Sequence, residues 1–327
     1  LHSHFPFDGY VKNPDTYCKI DFIIFSYSIN TMNVSFRQLR LFLALAETGS
    51  VTAAAKATHV TQPTASMRLK ELSDAIGLPL FEVVSKKVHL TDAGHDLVAT
   101  AREIQSAWEV YEQQLNALKG LARGKLRIAV VSTAKYFIPR LLGTFCTKYP
   151  DIEVSLEIQN RNGVLTRMRE NLDDLYIMSM PPTDLDIEDR VFMDNPLVVI
   201  ASAQHSLAKK NKLTLTDLAE QKFILRERGS GTRMAVDKFF KTKKFKPDLR
   251  MELGSNEAIR EAVAGDLGIA VVSKHALAES SARKDIKILT VADFPIQSAW
   301  HIVSRKGKIL PPLARHFHNH LIQSVTA

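Results

Sequence analysis

The sequence predicts an α+α/β protein in three parts: an N-terminal winged helix-turn-helix, a long dimerising linker helix, and a two-lobed α/β domain that binds a small molecule. Three observations carry this. Capped helical patterns beginning at Ser35 and Thr61 lead into β-branched residues around a Ser-Lys-Lys turn. Apolar residues then recur four and three apart from Leu97 to Leu118. From Lys125 onward, short apolar runs alternate with helical stretches.

Residues 1–31 hold no sustained period and read as a disordered or translated-upstream extension outside the fold. Residues 32–90 form the winged unit. Ser35 caps a helix with Phe36, Leu39, Phe42, Leu43 and Ala46 on one face, and "TGS" ends it. The alanine-rich "VTAAAKATH" is a second helix. Thr61 supplies the N-cap oxygen of a third, Pro63 sits in its first turn, Leu69, Leu72 and Ile76 mark its buried side, and Gly77 stops it. "LPLFEVVSKKVHLT" then makes a two-stranded wing. In such a unit the third helix reads the major groove of double-stranded DNA. Gln62 and Arg68 can make bidentate base contacts, Thr64, Ser66 and Lys70 are exposed with them, Thr61 and Pro63 stand at the helix start, and Lys86 and Lys87 in the wing suit phosphates. The alternative for the same pattern is a three-helix protein-interaction module with a polar third helix.

Residues 91–119 form the linker helix, started by Thr91. Its heptad seam is Leu97, Ala101, Ile104, Trp108, Tyr111, Leu115 and Leu118, which a partner copy would cover to give a homodimer; packing onto the same subunit is the alternative. "GLARGK" resembles a phosphate-binding loop but is one residue short between its glycines, and Leu126 stands where a metal-binding hydroxyl is required, so residues 120–124 read as a hinge. Residues 125–327 follow. The predicted strands are "KLRIAVV", "IEVSLEI", "DLYIMSM", "PLVVIAS", "KFILRE", "DLRMELG", "GIAVVS" and "AWHIVS", in mostly parallel sheets. An inserted unit divides them into lobe I, 125–195 with 293–327, and lobe II, 196–292.

Ligands in such folds sit at strand carboxyl ends and helix N-termini. The turn "RGSGT" is built for that. Gly229 and Gly231 let backbone N–H groups approach an anion, Ser230 and Thr232 add hydroxyls, and Arg228 and Arg233 add charge. Ser132, Thr133 and Lys135 after the first strand, and Ser255 and Asn256 at another helix start, converge on it. The bland alternative is an ordinary strand-to-helix turn.

Composition narrows the rest. No apolar run approaches the roughly 20 residues that span a bilayer, so no membrane role is expected. Cys18 and Cys146 are distant and in no metal-type spacing, which fits a reducing, cytoplasmic setting. The net charge of +8 permits nucleic-acid binding, yet residues 206–250 alone carry 13 Lys and Arg against 5 Asp and Glu, far from the DNA-reading segment. "KFFKTKKFK" in that stretch reads as a solvated helix end. No nucleophile elbow, HExxH helix or paired-cysteine site appears, so no enzyme is expected. His316 and His320 are spaced for one helix face, but without a nearby carboxylate or thiolate they imply no metal. No cofactor is expected beyond a small-molecule co-inducer.

The string "FRQLRLFLALAETGSVTAAAKATHVTQPTASMRLKELSDAIGLPLFE", continued by "VHLTDAG", closely resembles the LysR-type transcriptional regulators. The resemblance runs from about Met32 to the C-terminus. It implies a co-inducer domain similar to periplasmic binding proteins, a homodimer assembling to a homotetramer on promoter DNA, and action on RNA polymerase. "DDLYIMSMPP", "DNPLVVIA", "RERGSGTRMAVDKFF" and "MELGSNEAIREAVAGDLGIAVVS" are similar to the branch controlling Calvin-cycle carbon-fixation operons, as are Met67 and Val83, where arginine is commoner in the wider family. For that branch the resemblance implies ribulose bisphosphate, phosphoglycolate or a related signal as co-inducer. A LysR-type regulator of another pathway, a solute-binding protein and a metabolic enzyme are the alternatives.

Overall fold

A computed structural model describes residues 33–84, 87–119, 123–280 and 284–326. The extension at 1–31, Lys86 and residues 120–122 of the expected hinge lie outside the described residues. The chain divides into two compact units between Ala101 and Arg102.

The first unit contains α1 (Phe36–Thr48), α2 (Val51–Ala57), α3 (Gln62–Ile76), the wing strands β1 (Phe81–Val84) and β2 (Lys87–Leu90), and the start of α4 (Asp92–Leu118). Local chemistry sets each boundary. Ser35 and Gln38 form a capping box at α1: the Gln38 amide N–H donates to Ser35 Oγ at 3.3 Å and the Ser35 N–H to Gln38 Oε1 at 2.8 Å. Thr61 caps α3, and Gly77 ends it in the left-handed region at φ 79°. The core joins Leu39, Phe42, Ala54, Ala65, Leu69, Leu72 and Leu80 to Val98 and Ala101 of α4. Leu41 and Leu45 are buried as well, so the apolar face of α1 is wider than its predicted five residues. α4 starts close under the wing, where the Thr91 hydroxyl donates to the Pro79 carbonyl at 2.7 Å and accepts from the Gly94 N–H at 3.1 Å. A Cβ on Gly94 would overlap the Leu80 carbonyl oxygen, which explains a glycine inside a helix.

In the second unit the chain runs through β3 (Gly124–Val131), α5 (Ile138–Lys148), β4 (Ile152–Gln159), α6 (Arg161–Arg169), β5 (Leu175–Met178) and β6 (Ile187–Asp194). It continues through β7 (Leu197–Ser202), α7 (Leu215–Leu218), β8 (Lys222–Arg226), α8 (Gly231–Thr242), β9 (Asp248–Leu253), α9 (Asn256–Ala264), β10 (Ile269–Ser273) and β11 (Ile286–Ile288), then returns as β12 (Ala299–Arg305) and α10 (Pro312–Thr326). One sheet has the order β4-β3-β5-β12-β6 and the other β11-β7-β10-β8-β9. The expectation of mostly parallel sheets is corrected: β3 pairs in parallel with β4 and β5, and β8 with β9 and β10, while β5-β12, β12-β6, β10-β7 and β7-β11 are antiparallel. The antiparallel strands flank the two crossings between the sheets, where direction depends on the path of the chain and not on local composition. Two strands, β6 and β11, were not expected from the sequence.

α4 serves two interiors. Leu97 and Ala101 pack into the core of the first unit, so these two members of the expected seam are covered by their own subunit. Farther along, Val110 and Gln113 are buried in the second unit. Arg127 of β3 donates to Glu109 through both terminal nitrogens at 2.6 and 2.9 Å, and Gln113 Nε2 donates to the Lys125 carbonyl at 2.9 Å. Behind them the Arg127 N–H donates to Asp174 at 2.8 Å. Burial raises the Asp174 carboxyl above its usual range and lowers the nearby Lys308 amine. The remaining seam faces outward: Ile104, Trp108, Tyr111 and Leu118 are 43–84% exposed and Leu115 is half-buried. A cavity of about 440 Å³ between α4 and the loop after β12 continues this apolar stripe through Ala107, Val110 and Ile309.

Candidate functional site

Two places gather the residues singled out by the sequence. The first is the outer face of α3. Gln62, Ser66 and Lys70 are exposed and four residues apart, hence on one face, and the Gln62 amide donates to Ser66 Oγ at 3.0 Å. Thr61 and Pro63 are exposed at the helix start, Thr64 shares a 2.8 Å hydroxyl contact with Thr61, and Arg68 is half-buried on the flank. Lys87 is exposed on the wing. A rigid helix with amide, hydroxyl and ammonium groups on one side, and a basic wing beside it, can meet both base edges and phosphates.

The second place lies in the unit beginning at Arg102, where segments from both sheets meet. β3 ends at Val131 and turns directly into Ser132, Thr133, Lys135 and Tyr136. β8 ends at Arg226 and passes through Glu227 to the turn that starts α8, whose N-cap is Ser230. β9 leads to Ser255, the N-cap of α9, and to Asn256. The turn also touches the other sheet's connections: a Cβ on Gly229 would lie 2.6 Å from Asn162 Nδ2, and one on Gly231 2.9 Å from Ser179 Oγ. Gly229 has φ 93°, which favours glycine a second time.

At the centre is a side chain that the sequence reading passed over. Arg226 is 2% exposed. Its terminal nitrogens donate to Asn256 Oδ1 at 3.1 Å, Thr133 Oγ1 at 3.4 Å and Ser132 Oγ at 3.2 Å. Asn256 Nδ2 also donates to Thr133 Oγ1, at 3.2 Å. Thus Ser132, Thr133 and Asn256 do converge, and the group that joins them is Arg226. Its other edge, Nε and one terminal nitrogen, donates to the two oxygens of Glu227 at 2.7 and 2.9 Å.

Arg233 requires a correction. Its guanidinium is taken up by protein groups, donating to Asp237 at 2.9 Å, to Glu252 at 2.8 Å and to the Arg226 carbonyl at 2.8 Å. Burial works against its charge, but the two carboxylates outweigh burial and raise its pKa. Its place is to hold the end of β8. Arg228 is exposed, and its backbone N–H donates to Glu252 at 3.2 Å. Ser230 and Thr232 are buried, with Ser230 Oγ accepting from the Arg233 N–H, so the Ser230 hydroxyl is engaged in the cap.

Lys135 is also occupied. Its Nζ lies 2.9 Å from Glu257 Oε1, which accepts from the Tyr136 hydroxyl at 2.6 Å, while Ser255 Oγ donates to Glu257 Oε2 at 3.0 Å. Burial would raise the Glu257 carboxyl, but these donors win and hold it at about 2. Burial and the same carboxylate push the Tyr136 phenol up. The buried Arg260 lies one helical turn after Asn256, with its guanidinium over the Tyr136 ring at 5.8 Å. These groups can grip and orient a small anion. His316 and His320 are elsewhere and serve packing: His316 stacks on Tyr149, and His320 contacts Phe145 and bonds to Thr144 Oγ1 at 3.0 Å.

Comparison with known proteins places the chain. Residues 36–95 match the model of the bacterial regulatory helix-turn-helix protein, lysR family, and residues 119–326 match the LysR substrate binding domain. The chain is 45% identical over 289 residues to the HTH-type transcriptional activator CmpR of Synechocystis, covering 88% of this chain and 95% of that protein. It is 40% identical to a RuBisCO operon transcriptional regulator of Acidithiobacillus ferrooxidans, covering 88% and 94%. Among solved structures, the Synechocystis PCC6803 CcmR regulatory domain in complex with 2-PG is 47% identical, with a TM-score of 0.60 over 62% of this chain and 97% of that one. The chain belongs to the lysR family of bacterial helix-turn-helix regulatory proteins and is a transcriptional regulator, not an enzyme.

Proposed function

We propose that this regulator controls carbon-fixation genes in response to a small phosphorylated or carboxylated anion held between its two α/β lobes. The carrying observation is the buried Arg226 at the end of β8, tied to Ser132 and Thr133 after β3 and to Asn256 after β9. Such a centre ties ligand occupancy to the relative placement of the segments that build it. The relatives named for a RuBisCO operon and for 2-PG support the gene class and the ligand class. Double-stranded promoter DNA is met by Gln62, Ser66 and Lys70 of α3, with Lys87 on the wing. The exposed Ile104, Trp108, Tyr111 and Leu118 of α4 carry a homodimer that assembles to a homotetramer, acting in the cytoplasm on RNA polymerase. Lobe I is 125–195 with 293–327, and lobe II is 196–292.

The test is fluorescence anisotropy on a promoter fragment upstream of carbon-fixation genes, with and without 2-phosphoglycolate, alongside transcription with purified RNA polymerase. Specific binding whose affinity or footprint changes with the ligand is expected. An unchanged footprint, with no ligand heat in calorimetry, would overturn the reading. Sedimentation of the same protein reports the tetramer.

A further inference from the structure

We infer that Arg226 is the anchor for the anionic end of the effector and that Glu227 is the chain's own occupant of that anchor, which the effector must displace. The inference rests on the proposed anion site and goes on to define how the site selects its ligand.

A guanidinium has five N–H donors. Arg226 meets five acceptors: Asn256 and Thr133 from one terminal nitrogen, Ser132 and Glu227 Oε1 from the other, and Glu227 Oε2 from Nε. The Thr133 bond is long at 3.4 Å and the other four are 2.7–3.2 Å, so an anion that takes Arg226 bidentately must replace a partner. Ser132, Thr133 and Asn256 come from other segments, and Thr133 and Asn256 are buried and bonded to each other. Displacing either would leave a buried polar group unpaired. Glu227 differs. Its side chain is 21% exposed against 2% for Arg226, so water is available to a displaced carboxylate. It also occupies the Nε edge of the guanidinium, the parallel fork that suits a carboxylate or phosphate bidentately.

Selectivity follows. A carboxylate on the adjacent residue competes at an effective concentration on the order of millimolar or higher. A free monocarboxylate offers Arg226 nothing that Glu227 does not. A phosphate monoester, with about −1.5 to −2 charge at pH 7 and three acceptor oxygens, does. The favoured ligand class is a small phosphorylated metabolite, and Glu227 is the residue that rejects simple carboxylates.

The experiment is calorimetric titration of the full chain with inorganic phosphate, 2-phosphoglycolate and glycolate, using wild type, Glu227→Gln, Glu227→Ala and Thr133→Ala. Removing the internal carboxylate is expected to tighten phosphate and 2-phosphoglycolate at least tenfold, about 1.4 kcal/mol, and to bring glycolate into measurable range. Thr133→Ala is expected to weaken 2-phosphoglycolate. If the Glu227 variants bind with wild-type affinity or weaker while Thr133→Ala still weakens binding, the anion site stands and the displacement proposal falls. If no form of the chain binds phosphate or 2-phosphoglycolate, the site reading falls and takes the proposal with it. Arg226→Lys, which keeps charge but loses the fork, is expected to abolish the gain when combined with Glu227→Gln; retention of the gain would also overturn the proposal.

Discussion

Thr133→Val tests whether the buried polar centre is a working part of the effector unit. Valine keeps the volume and shape of threonine and removes one hydroxyl. Thr133 is 4% exposed, and its Oγ1 accepts from Asn256 Nδ2 at 3.2 Å and from an Arg226 terminal nitrogen at 3.4 Å. The longer bond is near the limit of useful geometry, so most of the loss falls on the Asn256 amide. A buried donor left without an acceptor costs about 1–3 kcal/mol. For a unit the size of Arg102–Ala327, a midpoint value near 2 kcal/mol corresponds to a fall in Tm of about 4–8 °C. Affinity for 2-phosphoglycolate is expected to fall as well, because Arg226 and Asn256 lose a shared orienting partner. Calorimetry on the full chain reads both quantities, and Thr133→Ser, which keeps the hydroxyl, serves as the control. Equal stability and equal ligand affinity in the valine and serine variants would refute the assignment of this cluster as a binding centre.

Gln62→Ala is expected to reduce discrimination among DNA sequences by about 1–3 kcal/mol, whereas Lys87→Ala weakens all sequences alike and lowers the salt slope by about one; titrations at several salt concentrations distinguish them. Gly94→Ala is expected to lower the stability of the winged unit and its DNA affinity, because the new methyl overlaps the Leu80 carbonyl, and a variant as stable as wild type by chemical denaturation would contradict that packing. Glu257 is held at about 2 against an ordinary value of 4.5, so the stability it contributes is complete above about pH 4.5 and is lost as pH falls toward 2. The stability difference between wild type and Glu257→Gln is therefore expected to shrink across that window, and a difference that stays constant between pH 5 and pH 2.5 would rule the linkage out.

Much of the winged unit was legible because its signals are local. Ser35, Thr61 and Gly77 act on the helix ends beside them, and each does so in the structure. Strands were legible where both faces are covered, as in "LVVIAS" and "IAVVS", all of whose residues are buried. β6, "IEDRVFMD", was missed because it is largely exposed at a sheet edge and reads as charged loop, and β11 is only three residues long. In the candidate site, serine, threonine and asparagine at strand ends and caps were found because those residues announce local hydrogen bonding. Arg226 was not. A strand-ending arginine usually reaches water, and its burial here is created by residues 30 and 93 or more positions away. Arg233 was misread for the same reason: Asp237 four residues on was visible, but Glu252 arrives from a different strand. The outer part of the α4 seam is exposed on the single chain, while Leu97 and Ala101 pack into the core of the winged unit, a use that the heptad spacing alone does not distinguish.

The double membership of α4 decides where this polypeptide can be cut. A fragment beginning at the first strand of the α/β unit would discard Val110 and Gln113 and leave Arg127 without Glu109. A fragment ending before the helix would remove Val98 and Ala101 from beneath the winged unit. Between Ala101 and Arg102 each piece keeps the side chains that close its own interior.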